Sequence, residues 1–592
     1  DVIGCATIQA PSAYTFIKLE LGEDLVVTHG SLSRRAELTI RILLLQIDDL
    51  PFIRGDIFLR GNITDGAGIP WIFGTRINVF YITGRSARLG GSPETIKPAK
   101  NNHMGTTIHS LPPEILIHIL SLTILDQHCL IQSNHNSPRV GLKLKDICGP
   151  DTLSRVCSLW RHIVRQFPSL WSHIDIALNH PLNPRLLARA KVLAARAGGA
   201  PLEIHVFDPD LEHEQKVRRF MLGQQGRSSP SGPRLEPNKM SDFSFRLSTP
   251  MRIRSLDFNF MLREGLHTCH MSALEYFLAK STPGVLTHFS MQSHVGTLSS
   301  FIEPADDPQT FESVLLDIPS QLFENIWLGT TTLRLNGLCP HWGSKAYHGL
   351  VELRIGKRVP TMTEAQLVNI LRSSPGLRVL RITTAIEYLT PSDESIVPVR
   401  LDDLEDLEVN DHAEMNLTAS GEILRWIAPG AKPLQLIFDG YPSKGAISFC
   451  ARSNVTRFFG KAFTQESVVD MIRRCSSLEI LALNAGFFEV RDLYSILCHI
   501  DERDSADMVP TTKVYTLYLA NFLLLPLRGL EDAVAEYSVQ RLVIRDCSIE
   551  YETGEGMKET SDPPKVRSLL STLKCPTVEY IEQRCSLDPE GW

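Results

Sequence analysis

The residues in this chain with the potential for covalent or metal chemistry are dispersed. Its 12 cysteines stand far apart, with no C-x-x-C pair and no Cys/His set at zinc-ligand spacing, so neither a metal site nor a disulfide framework is indicated. Most lie in apolar runs, as Cys157, Cys475 and Cys498 do, and read as small buried hydrophobes. His118 and His162 fall in helix patterns as partly exposed residues, and Asp306-Asp307 and Asp402-Asp403 read as solvated loop charges. No G-x-S-x-G, H-E-x-x-H, P-loop or strand-linked G-x-G-x-x-G is present. The expectation is a chain with no catalytic residues, no metal and no cofactor, whose chemistry is recognition.

Recognition needs side chains held in a regular array, and the second half of the chain supplies one. A motif apolar-x-x-apolar-x-apolar recurs as LVELRI, LRVLRI, LEDLEV, LEILAL, VYTLYL and VQRLVI, with degenerate copies around SLDFNF, TTLRLN, LQLIF and VTRFFG. Helix patterns such as EAQLVNILRSS and ESVVDMIRRCS lie between the copies. Leu353, Leu380 and Leu407 follow one another at intervals of 27 residues, within the range of leucine-rich repeats, although other steps are irregular. Each unit offers one short strand and one helix and must stack on its neighbours to bury its apolar face. The fold class expected is therefore α/β, a short helical domain followed by an irregular leucine-rich-repeat-like solenoid. A doubly wound sheet competes, but these strands are short and carry charges between leucines.

The x positions of the motif would project into the concave surface of such a solenoid. They are Glu352 and Arg354, Arg378 and Arg381, Glu405, Asp406 and Glu408, and Tyr515 and Tyr518. They form the candidate target-binding set, a mixture of charge and aromatic surface suited to a protein partner; the competing reading is ordinary solvated side chains on a half-exposed strand.

Ahead of the array, IHSLPPEILIHILSL and DTLSRVCSLWRHIVRQFPSLWSHIDI read as two amphipathic helical stretches. In the first, Ser110 is placed to cap, Pro112 and Pro113 occupy the first turn, and Leu111, Ile115, Ile119 and Leu122 share a face. In the second, Leu153, Val156, Cys157, Trp160, Ile163 and Val164 step by three and four and are expected along one buried face. LPPEIL, VCSLWRHI and PSLW in this order resemble the F-box motif, in the F-box-like form of a large fungal family, over roughly seventy residues. The departure is the long insertion at 126–149. The resemblance implies a Skp-type adaptor, and through it a cullin ubiquitin ligase, as partner. It implies adaptor contacts at Leu111, Pro112, Glu114, Ile115, Ile119, Leu120, Leu153, Val156, Cys157 and Trp160. The repeat region also resembles the one that follows the F-box in such proteins, SSPGLRVLRI being the closest match, and it would hold a protein target. A repeat scaffold or inhibitor with no ligase link, whose N-terminal helices merely cap the solenoid, is the alternative.

The domains expected are a leader at 1–103, an F-box-like domain at 104–176, and the solenoid at 177–592 with a Gly/Pro/Ser-rich loop at 223–241. The leader has strand-like fragments, LTIRILLLQI and RINVFYITG, that never settle into a repeat, and the first methionine is Met104. It is expected to be a gene-model extension or a disordered leader; abundant native peptides from 1–103 would contradict that. Net charge is -7 with basic residues spread among acids, which argues against a nucleic-acid binder. No apolar run approaches the roughly 18 residues of a membrane span, and there is no signal peptide, so a cytoplasmic or nuclear location is expected.

Overall fold

In the repeat region, alternation of leucines with polar residues requires strands that bury one face only, and that is how the chain is built. The computed structural model describes residues 3–10, 13–20, 54–64, 70–80, 113–126, 150–178, 183–208, 243, 245–246, 251–260, 266–293, 299–310, 313–384, 386–387, 397–410, 419–439, 443–461, 468–485, 513–554 and 556–581. The insertion between the two helical stretches, the loop at 223–241, the segment LTIRILLLQI and the helix pattern VRDLYSILCHI lie outside them, apart from Asp126. The chain divides into two compact units, one holding Asp1–His128 and Ile147–Leu170, the other Cys129–Asp146 and Trp171–Trp592.

The larger unit is a mixed α/β, solenoid-like structure organised on one 14-stranded sheet. Its strands follow chain order from His173–Ala177 at one edge to Thr577–Ile581 at the other, and every pairing is parallel. Parallel neighbours require a crossover, and crossovers of one hand along a sheet that always advances in the same direction place the helices on one face. Toward that face point Leu353 and Ile355, Leu380 and Ile382, Leu407 and Val409, Leu481 and Leu483, and Leu517 and Leu519, all essentially inaccessible. Leu353, Leu380 and Leu407 are direct cross-strand partners, so the 27-residue step is the repeat length there. The other face of the sheet is turned from the helices and is called the open face below.

The first strand, His173–Ala177, already belongs to this sheet, pairing Ile174 with Ile204 and Ile176 with Val206. The repeat unit thus begins before residue 177. The following helix, Asn183–Ala197, ends where Gly198 adopts a positive φ of 57°, a conformation that costs glycine little.

In the smaller unit, the described residues of the leader form a four-stranded antiparallel sheet of Ile3–Ala10, Ala13–Glu20, Arg54–Thr64 and Pro70–Phe80. Part of RINVFYITG falls on the last of these. Among the described residues three helices follow: α1, Pro113–Asp126; α2, Pro150–Leu153; and α3, Ser158–Gln166. Phe167 closes α3 one residue before Pro168, as the proline dictates. Among the described residues no helix is long and apolar enough to cross a membrane.

Candidate protein-recognition surfaces

The helical stretch 150–166 departs from its expected form. A single helix would carry Leu153 to Val164 along one face, but after Leu153 the amides of Arg155 and Val156 bond the carbonyls three residues back, and the helix tightens and stops. Cys157 is extended, and its Sγ accepts the Trp160 amide at 3.4 Å, so it caps α3. The break removes Val156 from the buried side, leaving it 60% exposed. Leu153, Ile163 and Val164 are buried, and Cys157 and Trp160 half-buried. In α1 the inaccessible pair is Leu116 and Leu120, one helical turn apart, so the interior face lies one residue round from the one expected. Ile115 is 38% exposed, Glu114 is exposed and Ile119 half-buried. Leu111, Pro112 and the side chain of Leu122 lie outside the described residues.

On the repeat unit, the parallel register sorts the nine target-binding candidates into two groups. Glu352, Arg354, Arg381 and Glu408 project from the open face and join in a charge ladder. Glu352 bridges Arg334 at 2.8 Å and Arg354 at 2.6 Å. Arg381 reaches Asp406 at 2.8 Å and Glu408 at 3.5 Å, and Lys461 reaches Glu408 at 3.4 Å. Burial opposes ionisation of Glu352, but the hydrogen bonds and charges of Arg334 and Arg354 outweigh it and hold its carboxyl below the usual range. Like charges in direct register, as Arg354 and Arg381 are, would repel; the interleaved carboxylates make the row tolerable.

Tyr518 also projects from the open face, yet it is 3% exposed. It belongs to an in-register apolar row, Ile437, Phe459, Ala482, Tyr518 and Val543, buried on five successive strands together with Ala520. This removes Tyr518 from the accessible recognition surface. Arg378, Glu405 and Tyr515 stand one residue ahead of their strands, on an exposed rim. There Arg378 binds Glu405 at 2.7 Å, and Lys432 joins Glu405 at 3.2 Å and Asp403 at 2.9 Å. Arg378 first, then Lys432, lowers the Glu405 carboxyl below its ordinary value.

Sequence reasoning missed the open face of the first strands, where the motif copies are degenerate and the period-two alternation was the only signal. His173 contacts Asp175 at 3.2 Å and Glu203 at 3.8 Å, and His205 contacts Asp257 at 3.5 Å, with the two imidazole centroids 4.5 Å apart. The His173 hydrogen bond, opposed by burial and aided by Arg254, holds Glu203 down at about 2. Among the described residues no group of three or more His, Cys, Asp or Glu is placed to hold a metal ion.

The open face thus changes along the array, from histidines and acids, through arginines and carboxylates, to a buried apolar row. In comparison with known proteins, the chain matches no family model and no curated protein.

Proposed function

We propose that the chain is a non-catalytic substrate-recognition subunit of an SCF-type ubiquitin ligase. Helices α1 to α3 bind a Skp-type adaptor, which links the chain to a cullin, and the open face of a leucine-rich-repeat-like solenoid holds a protein target. The observation that carries the reading is the exposure of Ile115 and Val156 within the F-box-like motif, apolar side chains of the kind an adaptor would cover. The charge ladder from Arg334 to Arg354 supports a protein target, since alternating guanidinium and carboxylate groups suit a mixed polar partner better than a continuous phosphate backbone, whereas Glu408, at the ladder's other end, is buried and not available to a partner.

Co-purification with the Skp-type adaptor tests the first half. Ile115→Glu with Val156→Glu adds charge at exposed positions, so folding is retained and adaptor capture is lost. Capture that survives deletion of residues 104–176 would leave the alternative, a repeat scaffold with no ligase link.

A further inference from the structure

On a helix at the surface of a repeat array, one side is apolar and packed and the opposite side is polar. The helix Leu527–Glu536 follows this rule: Leu530, Ala533 and Val534 are buried, and Arg528, Glu531 and Asp532 are exposed. The helix Asn183–Ala197, which follows the first strand of the array, does not. Its packed side is Leu186, Ala190, Leu193 and Ala197, all buried. At about 100° per residue, the direction opposite these four is occupied by Ala188, Val192 and Ala195, spaced by four and three, all exposed and all apolar. Val192 is 47% exposed, the one large apolar side chain exposed on an α-helix of the repeat unit among the described residues.

Cations flank this ridge on both sides. Lys191 lies on one flank and Arg185 and Arg196 on the other, and all three are exposed. Arg196 also stacks its guanidinium over the Trp171 ring, 4.3 Å from the centroid, which fixes its position at the end of the ridge. Among the described residues neither Arg185 nor Lys191 is in an ion pair. With half-buried Arg189 farther round, the helix carries four basic residues and no acidic one, in a chain whose net charge is -7. From Arg185 to Arg196 the ridge runs about 16 Å, or about three helical turns. A second helix packs closely where a ridge is low, as this one is at Ala188 and Ala195, and can then set acidic side chains beside the flanking cations.

We propose that this face of the helix Asn183–Ala197 is a docking surface for an acidic amphipathic helix of a protein partner. Ala188, Val192 and Ala195 lie against the apolar side of that helix, and Arg185, Lys191 and Arg196 lie against its carboxylates. Charge of a single sign selects an acidic occupant, and the ridge selects a helical one. An anionic membrane would need bulkier apolar side chains to enter its acyl region, and a phosphate backbone would need cations across the middle of the face, where the ridge stands. The surface belongs to the helix layer, on the opposite side of the sheet from the open face, and it requires neither the adaptor nor the ligase.

A fluorescein-labelled peptide of three heptads, with leucine and alanine on one face and glutamate elsewhere, titrated onto the full chain by fluorescence polarisation, tests it. Saturable binding is expected, and the counterpart with lysine for every glutamate is not expected to bind. Arg185→Glu with Lys191→Glu should weaken the acidic peptide about tenfold or more, since two attractions become repulsions. Val192→Asp should weaken it with every cation in place. Arg528→Glu, a charge reversal on the helix Leu527–Glu536, should leave it unchanged. All the altered positions are exposed, and circular dichroism reports whether each variant is folded. Equal binding by the double variant or by Val192→Asp, equal loss in Arg528→Glu, or equal affinity for the lysine peptide would each overturn the surface. So would binding to vesicles of phosphatidylserine and phosphatidylcholine that the double variant abolishes. Adaptor co-purification on the same samples separates the two readings. Adaptor capture lost with peptide binding intact counts against the ligase reading alone, and the reverse counts against the docking surface alone.

Discussion

At the scale of single residues, burial decides what each substitution costs. Leu380 and Leu407 are fully inaccessible, and replacing either with alanine should cost about 2 to 5 kcal/mol, read as a fall in the midpoint of chemical denaturation. Arg378 and Arg381 look alike in the motif, but they should part company. The Arg378 side chain is 54% exposed and its pairing with Glu405 is a rim contact screened by solvent, so Arg378→Ala should leave the denaturation midpoint nearly unchanged. Arg381 is 14% exposed and compensates half-buried Asp406 and buried Glu408; its loss leaves these two carboxylates with Lys461 alone on Glu408 and should cost clearly more than the loss of Arg378. His270 supplies a pH dependence. Burial alone would lower its pKa, but the hydrogen bond to Asp208 at 2.7 Å and the contact with Cys269 outweigh burial and raise it to about 9. A folded-state value above the unfolded 6.5 gives stability that is fully present below pH 6.5 and lost as pH rises through about 9. At most about 3 kcal/mol is involved. Denaturation at pH 6.5 and pH 9.5 should show this loss in the native chain and much less of it in Asp208→Asn; equal losses in both would assign the pH dependence elsewhere.

At the scale of elements, the units are fastened by caps and by one buried clamp. The helix Glu364–Ser373 begins with a reciprocal cap: Thr363 Oγ1 accepts the Gln366 amide at 3.3 Å, and the Gln366 side chain accepts the Thr363 amide at 2.8 Å. Its first residue, Glu364, is 4% exposed and accepts from Arg425 at 2.8 Å and from the Trp426 indole, both in a later unit. Thr363→Ala removes one satisfied amide and should cost about 1 kcal/mol. Glu364→Ala breaks a buried charge pair and should cost about 3 kcal/mol, with Glu422 retaining part of the Arg425 charge balance at 3.6 Å. Thermal unfolding of the two variants should rank them in that order. A smaller loss for Glu364→Ala than for Thr363→Ala would show that the clamp contributes little to the joint. Gly337 is a further joint: its φ is 117°, and a Cβ there would lie 2.6 Å from the Ser293 Cβ, so no other residue follows the strand Thr332–Asn336 without displacing its neighbour.

At the scale of the whole repeat unit, each strand pairs only with its neighbours in the sheet, so damage should stay local. Leu407→Ala should raise amide hydrogen exchange in Val379–Ile382, Asp406–Asn410 and Leu434–Asp439 before any change appears in His173–Ala177 or Thr577–Ile581. Simultaneous loss of protection across all 14 strands would mean that the array unfolds as one cooperative block. The accessible part of the open face is likewise confined to one part of the array, because the row from Ile437 to Val543 is buried.

Periodicity in the sequence was enough to assign the inward leucines, the repeat step around Leu380 and the strands at LVELRI, LRVLRI and LEDLEV. A strand that buries one face must alternate, and alternation is a local property of the chain. Local pattern was less reliable around Val156, where a step of three and four runs through a helix break closed by the Cys157 cap. In α1 it chose Ile115 over Leu116, adjacent residues that a short apolar helix does not distinguish. What only the tertiary structure decided is which side chains become neighbours across strands. Ser255, His288 and Thr332 are separated by 33 and 44 residues of irregular spacing, and only the parallel register sets them side by side. Accessibility was decided there as well: Tyr515 and Tyr518 are both polar positions of one motif copy, yet Tyr515, ahead of its strand, is 64% exposed, and Tyr518, within it, is 3% exposed, because exposure depends on what packs against a strand and not on the strand's own pattern.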